Sequence, residues 1–159
     1  MFNISRIAIY CFFALLLLES CGNSKPVDTR VSKKEQSEVL IAEHFKLLND
    51  HNLKALTQQY ATTASISSSE WNGIAIGPAG ADQIFHLEFY KSPDAKYLVD
   101  NIINNDSTLV VQYDVVGLRD INNGNTRYDL RKCSVFKIDS NLIVNEATYA
   151  NPLFYHNGN

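Results

Sequence analysis

Cysteine is scarce in this chain, and two of its three copies stand near the start, at positions 11 and 21. Cys133 is therefore alone in the rest of the chain, where no internal disulfide can form. With no Cys-x-x-Cys and no Cys/His cluster around it, it reads as a small buried apolar residue, not a redox or metal group. The four histidines, 44, 51, 86 and 156, show neither His-x-His nor His-x-x-x-His spacing, which argues against a metal site, and no cofactor is implied. Gly-x-Ser-x-Gly, a Ser/His/Asp order and a glycine-rich phosphate loop are all missing. Positive charge is short as well: 14 Lys and Arg against 17 Asp and Glu give a net charge of −3. Nucleic-acid binding demands a basic face, so that class of partner is excluded. There is no internal repeat, and no apolar run reaches the roughly 20 residues that span a bilayer.

The one pronounced apolar run is short and early. Met1 to Arg6 carries a single positive side chain, Ile7 to Leu18 is almost wholly apolar, and Leu18-Glu19-Ser20-Cys21-Gly22 leads at once into polar sequence. A basic start, a short apolar core and a small residue before a cut site form a secretory signal. The Cys just after the cut resembles the lipobox of bacterial lipoproteins, with Leu18 and Ser20 in place and Glu19 departing from the pattern. That resemblance implies acylation of Cys21 and anchoring in a bilayer of the bacterial cell envelope, at the outer membrane or the periplasmic face of the inner one. Residues 1–21 are then the signal, 22–33 a flexible tether with Pro26, 34–152 one domain and 153–159 a tail. Removing the signal leaves about 138 residues, the size of a single domain with its own core.

The spacing predicts a helix from about Ser32 to Asn49, with Val39, Ala42, Phe45 and Leu48 as its stripe and Leu40 and Leu47 widening it. Ser32 and Glu35 fit a capping box. A second helix is expected over Leu53–Tyr60, capped by Asn52. Ala61–Ser69 is hydroxyl-rich and contains a short strand from Ile66; Trp71-Asn72-Gly73 is a turn or loop. After Gly77-Pro78-Ala79-Gly80 a third helix runs over Ala81–Lys91, with Ile84, Phe85, Leu87 and Phe89 as its apolar surface. Strands follow at Lys96–Asn104, Thr108–Leu118, Thr126–Ile138 and Leu142–Tyr149. Asn122-Asn123-Gly124 and Asp139-Ser140-Asn141 make tight turns between them. Helices first and then a strongly bent antiparallel meander give an α+β fold, a cone-shaped roll of curved sheet around three helices with an apolar interior.

The order of these segments is similar to the nuclear-transport-factor-2-like superfamily, and within it to the SnoaL-like proteins. Phe45-x-x-Leu48-Asn49-x-His51-Asn52-Leu53-x-x-Leu56-x-x-x-Tyr60-Ala61 resembles its opening helices. Gly77-Pro78-x-x-x-x-Gln83-Ile84-Phe85 resembles the segment into its third helix, Asn105 to Val111 its turn into the central strand, and Ser134 to Ile138 with Asn141-Leu142-Ile143 its last hairpin. The resemblance covers about Lys34 to Pro152. It implies a ligand cone, but this fold serves isomerases, cyclases, dehydratases and non-catalytic binders alike. Superfamily members often pair through the outer sheet face, which implies a homodimer. Where the steroid-isomerase branch has a carboxylate base, this chain has Ser68; where that branch places its oxyanion donors, it has His44 and Ser134; where SnoaL-like cyclases carry an Asp, it has Asn151. An amide or hydroxyl does not titrate near neutrality.

The expected function is accordingly a lipid-anchored binder of a small apolar or amphipathic ligand lacking the usual catalytic carboxylates. A pocket lined by Tyr60, Trp71, Phe89, Tyr113, Phe136, Tyr149 and Asn151 would hold it. Two other readings stand beside it. One is a cofactor-free isomerase, cyclase or dehydratase using His44, Glu70 or Glu146 with Tyr60. The other is a dimeric interaction module, with Arg127, Asp129, Arg131 and Lys137 on one face of the penultimate strand. An inward Glu146 would acquire acid–base character through burial. Asp114 is expected to pair with Arg127 or Arg131 across the sheet.

Overall fold

The computed structural model describes residues 32–151 and 156–157. The expected signal with Cys21, the tether up to Val31 and the remainder of the tail lie outside the described residues. Helix α1 spans Lys33–Asn49 and opens with the expected capping box: the Ser32 hydroxyl accepts from the Glu35 amide at 3.2 Å, and the Glu35 carboxylate accepts from the Ser32 amide at 2.8 Å. Its buried face differs from the predicted stripe. Ser37, Leu40, Ile41, His44, Phe45, Leu47 and Leu48 point inward, while Val39 is 68% exposed and Ala42 is exposed too. The face rotates because two of its polar residues are satisfied inside. The Ser37 hydroxyl donates to the Asp106 carbonyl at 2.8 Å, and His44 bonds Gln59.

Helix α2 is only Leu53–Thr57, with the Asn52 side chain accepting from the Ala55 amide at 3.2 Å. The expected extension to Tyr60 does not occur: Tyr60 opens strand β1 (Tyr60–Ser68), which is thus longer than its hydroxyl-rich sequence implied. After β2 (Ala75–Ile76), helix α3 covers Gly77–Lys91 and begins a turn earlier than Ala81, with Pro78 preorganised for its first turn. Gly77 has φ of 62°, and a Cβ there would stand 2.4 Å from the Thr62 carbonyl oxygen, so only glycine lets the helix start against β1.

Strands β3 (Lys96–Asn105), β4 (Thr108–Asp120), β5 (Thr126–Asp139) and β6 (Leu142–Ala150) form the expected antiparallel meander. Ser140 and Asn141, both with positive φ, make the tight β5–β6 turn. The sheet order is β2-β1-β6-β5-β4-β3, and the short β7 (His156–Asn157) pairs with β5. Strand β1 lies parallel to β6, so the sheet is mixed. Register shifts between Val99 and Asn101, between Val115 and Leu118, and between Lys137 and Ile138 curl it. Gly117 (φ 78°) stands in the second shift, its amide donating to Asp129 at 2.8 Å. The result is an α+β roll: three helices against an open, curved sheet. Its inner face carries Leu109, Val111, Tyr113 and Val115 from β4, and Leu130, Phe136 and Ile138 from β5. On the outer face Arg131 holds Asp114 through two bonds of 2.8 and 2.9 Å, the expected pair. Cys133 is half-buried, not interior. Among the described residues no helix is long and apolar enough to cross a membrane.

Candidate active site

An open cleft of about 590 Å³ lies between α3, the loop after β1 and strands β4 and β5. Trp71, Ile84, Leu87, Leu118 and Tyr128 give it apolar walls. Beneath it lies a pit of about 50 Å³, large enough for one small polar group. Glu70, Trp71, Ile84, Glu88 and Lys132 line both spaces, so they form the neck between them.

The neck is charged. Lys132 is buried, with its ammonium 2.7 Å from Glu70 and 3.3 Å from Glu88. Burial alone would lower its pKa, but the Glu88 and Glu70 charges more than reverse that, and the amine stays protonated. Strand alternation puts it there, because Leu130, Lys132, Ser134 and Phe136 all face inward. Replacing Lys132 with methionine leaves two carboxylates without a partner and is expected to destabilise the fold by about 3 kcal/mol. The value sits at the low end because Glu70 and Glu88 keep 33% and 22% of their side-chain surface in water. Chemical denaturation of Lys132→Met should show that loss, and Glu88→Gln in the same chain should recover most of it.

The pit holds a continuous set of polar side chains. Glu146, 5% exposed, accepts a short hydrogen bond from the Tyr60 hydroxyl at Oε2 and another from Thr148 Oγ1 at Oε1, 3.2 Å long. Burial pushes its carboxyl up to about 7, with Glu88 adding to the rise and the bonds from Tyr60 and Thr148 and the Lys132 charge opposing it. Thr148 Oγ1 is 2.7 Å from Ser134 Oγ, which is 3.1 Å from the Tyr113 hydroxyl. Burial also raises the pKa of Tyr60 and of Tyr113. His44 is fully buried among Phe45, Tyr60, Phe85 and Phe136, all edge-on or tilted to its ring or to one another. Its Nδ1 lies 2.9 Å from the Gln59 amide oxygen, which fixes the proton on Nδ1. Burial lowers its pKa to about 4, only partly offset by that bond, so the ring is neutral and cannot serve as a general acid at neutral pH.

Tyr97 completes the pit. The Asn49 side chain clamps its backbone at both N–H and C=O, with bonds of 2.8 and 2.9 Å. Its hydroxyl is buried and faces the Glu88 carboxylate without a hydrogen bond of good geometry; burial first, and then Glu88, raise its pKa.

The structure therefore brings together Tyr60, Trp71, Tyr113, Phe136, His44, Glu70 and Glu146, and separates three other expected residues. Tyr149 is 57% exposed, beside Cys133 on the outer sheet face, because residues 146 and 148 take the inward positions of β6. Asn151 follows the strand, its amide bonded to the Arg131 carbonyl, and lines neither space. Phe89 stacks on His51 at 4.4 Å and also lies outside the pit. Lys132, Glu88, Thr148 and Tyr97 were not among the expected residues.

No family model matches the chain. No curated protein matches it either. Solved structures do. The enzyme SalBIII, described as epoxide hydrolase/cyclase-like and linked to pyran ring formation in the polyether salinomycin, superposes with a TM-score of 0.70 at 14% identity, over 79% of this chain and 99% of that one. A candidate SnoaL-like polyketide cyclase from Jannaschia sp. CCS1 gives 0.68 at 13% identity, over 78% and 91%. A candidate ketosteroid isomerase from Kribbella flavida gives 0.63 at 14%, over 76% and 81%. The fold is the nuclear-transport-factor-2-like, SnoaL-type roll. At these identities the likeness establishes architecture, and the chemistry must come from the pit itself.

Proposed function

We propose that this chain takes a small, largely apolar carbonyl compound into its cleft and moves a proton on it, as an isomerase or cyclase does, using Glu146 as the general acid–base. The observation that carries this reading is the Glu146 carboxyl at the pit floor, buried, bonded to Tyr60 and Thr148 and poised at about 7. A general base works best with a pKa near the operating pH. The carboxylates that related enzymes carry are missing at the matching positions, which favours a binder from sequence, with Glu146 among the candidates for an enzyme. Glu146 supplies a carboxylate from another position, in the pit that Tyr97 also lines. The cyclase and isomerase descriptions of the structural neighbours agree with a ring-forming or ring-bearing apolar substrate.

Solvent-deuterium exchange tests the proposal. The full chain, incubated in heavy water with a panel of cyclic ketones and enones, should speed exchange at carbons next to the carbonyl. Absence of exchange across the panel, together with a ligand that co-purifies unchanged, would favour the binder.

The location is proposed on sequence alone. The short apolar run before Leu18-Glu19-Ser20-Cys21 supports attachment to the cell envelope by acylated Cys21. Cys21→Ala should release the protein from membranes and abolish fatty-acid labelling; a labelled band that persists would contradict the anchor.

A further inference from the structure

Each hydroxyl in the pit has a single proton, and this fixes the direction of the chain. Thr148 donates to Glu146 Oε1, so its oxygen must accept from Ser134; Ser134, having spent its proton on Thr148, must accept from Tyr113. With Glu146 ionised, every proton from Tyr113 onward points toward the carboxylate, and Tyr113 shows the pit only its lone pairs. A proton placed on Oε1 reverses the set: Glu146 donates to Thr148, Thr148 to Ser134, Ser134 to Tyr113, and the Tyr113 O–H is freed toward the pit.

We infer that Ser134 and Thr148 form a relay that turns Tyr113, on its side facing the pit, from acceptor to donor when Glu146 takes a proton. This deepens the proposed function and rests on it. When Glu146 abstracts a proton from carbon, the C–H electron pair moves onto the carbonyl carbon–oxygen system and negative charge collects on the oxygen. The abstracted proton stays on Oε1. Each hydroxyl rotates with its own O–H bond intact, so no further bond breaks and no electrons are exchanged with any other reactant. Tyr113 then donates to the oxygen at the stage when charge develops there, the stage at which a donor accelerates the reaction. Return of the proton to a different carbon resets the relay. Ser134, wholly buried, and Thr148 are positioning residues here; neither need touch the substrate.

Several charged and titratable groups face this chain. They are Tyr60 from β1, Glu70 from the loop after it, His44 from α1, Glu88 from α3, Tyr97 from β3 and Lys132 from β5. The test must therefore separate the relay from a direct field effect. The full chain labelled with ¹³C at tyrosine Cζ is titrated across neutral pH, with Tyr113→Phe and Tyr60→Phe assigning the resonances and infrared absorption following the Glu146 carboxyl. The relay predicts that Tyr113 moves with the same midpoint as Glu146. It also predicts that this movement disappears in Ser134→Ala and in Thr148→Val while the Glu146 carboxyl still titrates, and that Thr148→Ser restores it. If Tyr113 stays still in the wild type while Glu146 titrates, or still moves in Ser134→Ala, the relay is wrong and Glu146 as acid–base survives. If Glu146 does not titrate near neutrality, the relay and the proposed function fall together.

Discussion

Replacing Glu146 with glutamine is expected to lower exchange or turnover by about 10²–10⁴-fold while leaving ligand affinity within a few-fold. The substitution keeps the shape and much of the hydrogen bonding. The amide oxygen still accepts from Tyr60, and the amide N–H donates to Thr148 in place of accepting from it. What is lost is the ability to take up a proton. A fall in kcat with little change in KM marks an interaction used in the transition state, and a rise in KM with kcat unchanged would mark simple binding. A Glu146→Gln protein that turns over at the wild-type rate would remove Glu146 from the mechanism.

The second large effect concerns stability against pH, where two buried groups oppose each other. The pKa of Glu146 rises on folding from 4.5 to about 7. Its contribution is therefore full below its unfolded pKa and is lost as pH climbs through about 7. The pKa of His44 falls on folding from 6.5 to about 4. Its contribution is full above its unfolded pKa and is lost as pH drops through about 4. Each shift corresponds to something on the order of 3 kcal/mol. Between pH 4.5 and 6.5 the two slopes have opposite sign, so the wild type should change little there on their account. Glu146→Gln should expose the His44 slope and lose stability steadily on acidification. His44→Gln should do the reverse and grow more stable as pH falls toward 4.5. Surface pairs such as Asp114 with Arg131 contribute alike in all three proteins and cancel in the differences. Parallel denaturation curves for all three at every pH would mean neither group is buried as described.

The meander was legible because its punctuation is chemical: Ser140-Asn141 takes the positive φ that a tight turn needs, and the strands alternate, although the Asn122-Asn123-Gly124 connection is a longer loop over 121–125 with its positive φ at Gly124 and Asn125. The capping box was legible for the same reason. Helix faces were less so. In α1 the inward face includes Ser37 and His44, polar residues that a hydrophobic count assigns to water and that are buried because each finds a partner across the fold. The direction of Glu146 could not be read, because the register shift between Lys137 and Ile138 breaks the two-residue period before β6 reaches it. Lys132 carried a usable signal, since it alternates with Leu130, Ser134 and Phe136. Tyr97 did not: it lies on edge strand β3 beside Leu98 and Val99, which are exposed, and only the Asn49 clamp shows which way it turns. The outer location of Tyr149 follows from Glu146 and Thr148 facing in, a parity fixed by the fold, not by composition.

A Glu146 carboxyl that exchanges its proton near neutrality at the floor of the cleft is tested most directly by the pH–rate profile for solvent-deuterium exchange. With Glu146 as base, the rate should rise with pH, reach half its plateau near 7 and stay level above, and the whole rise should vanish in Glu146→Gln. A rate that is flat through neutrality, or that is already at its plateau just above the ordinary glutamate value of 4.5, would contradict it.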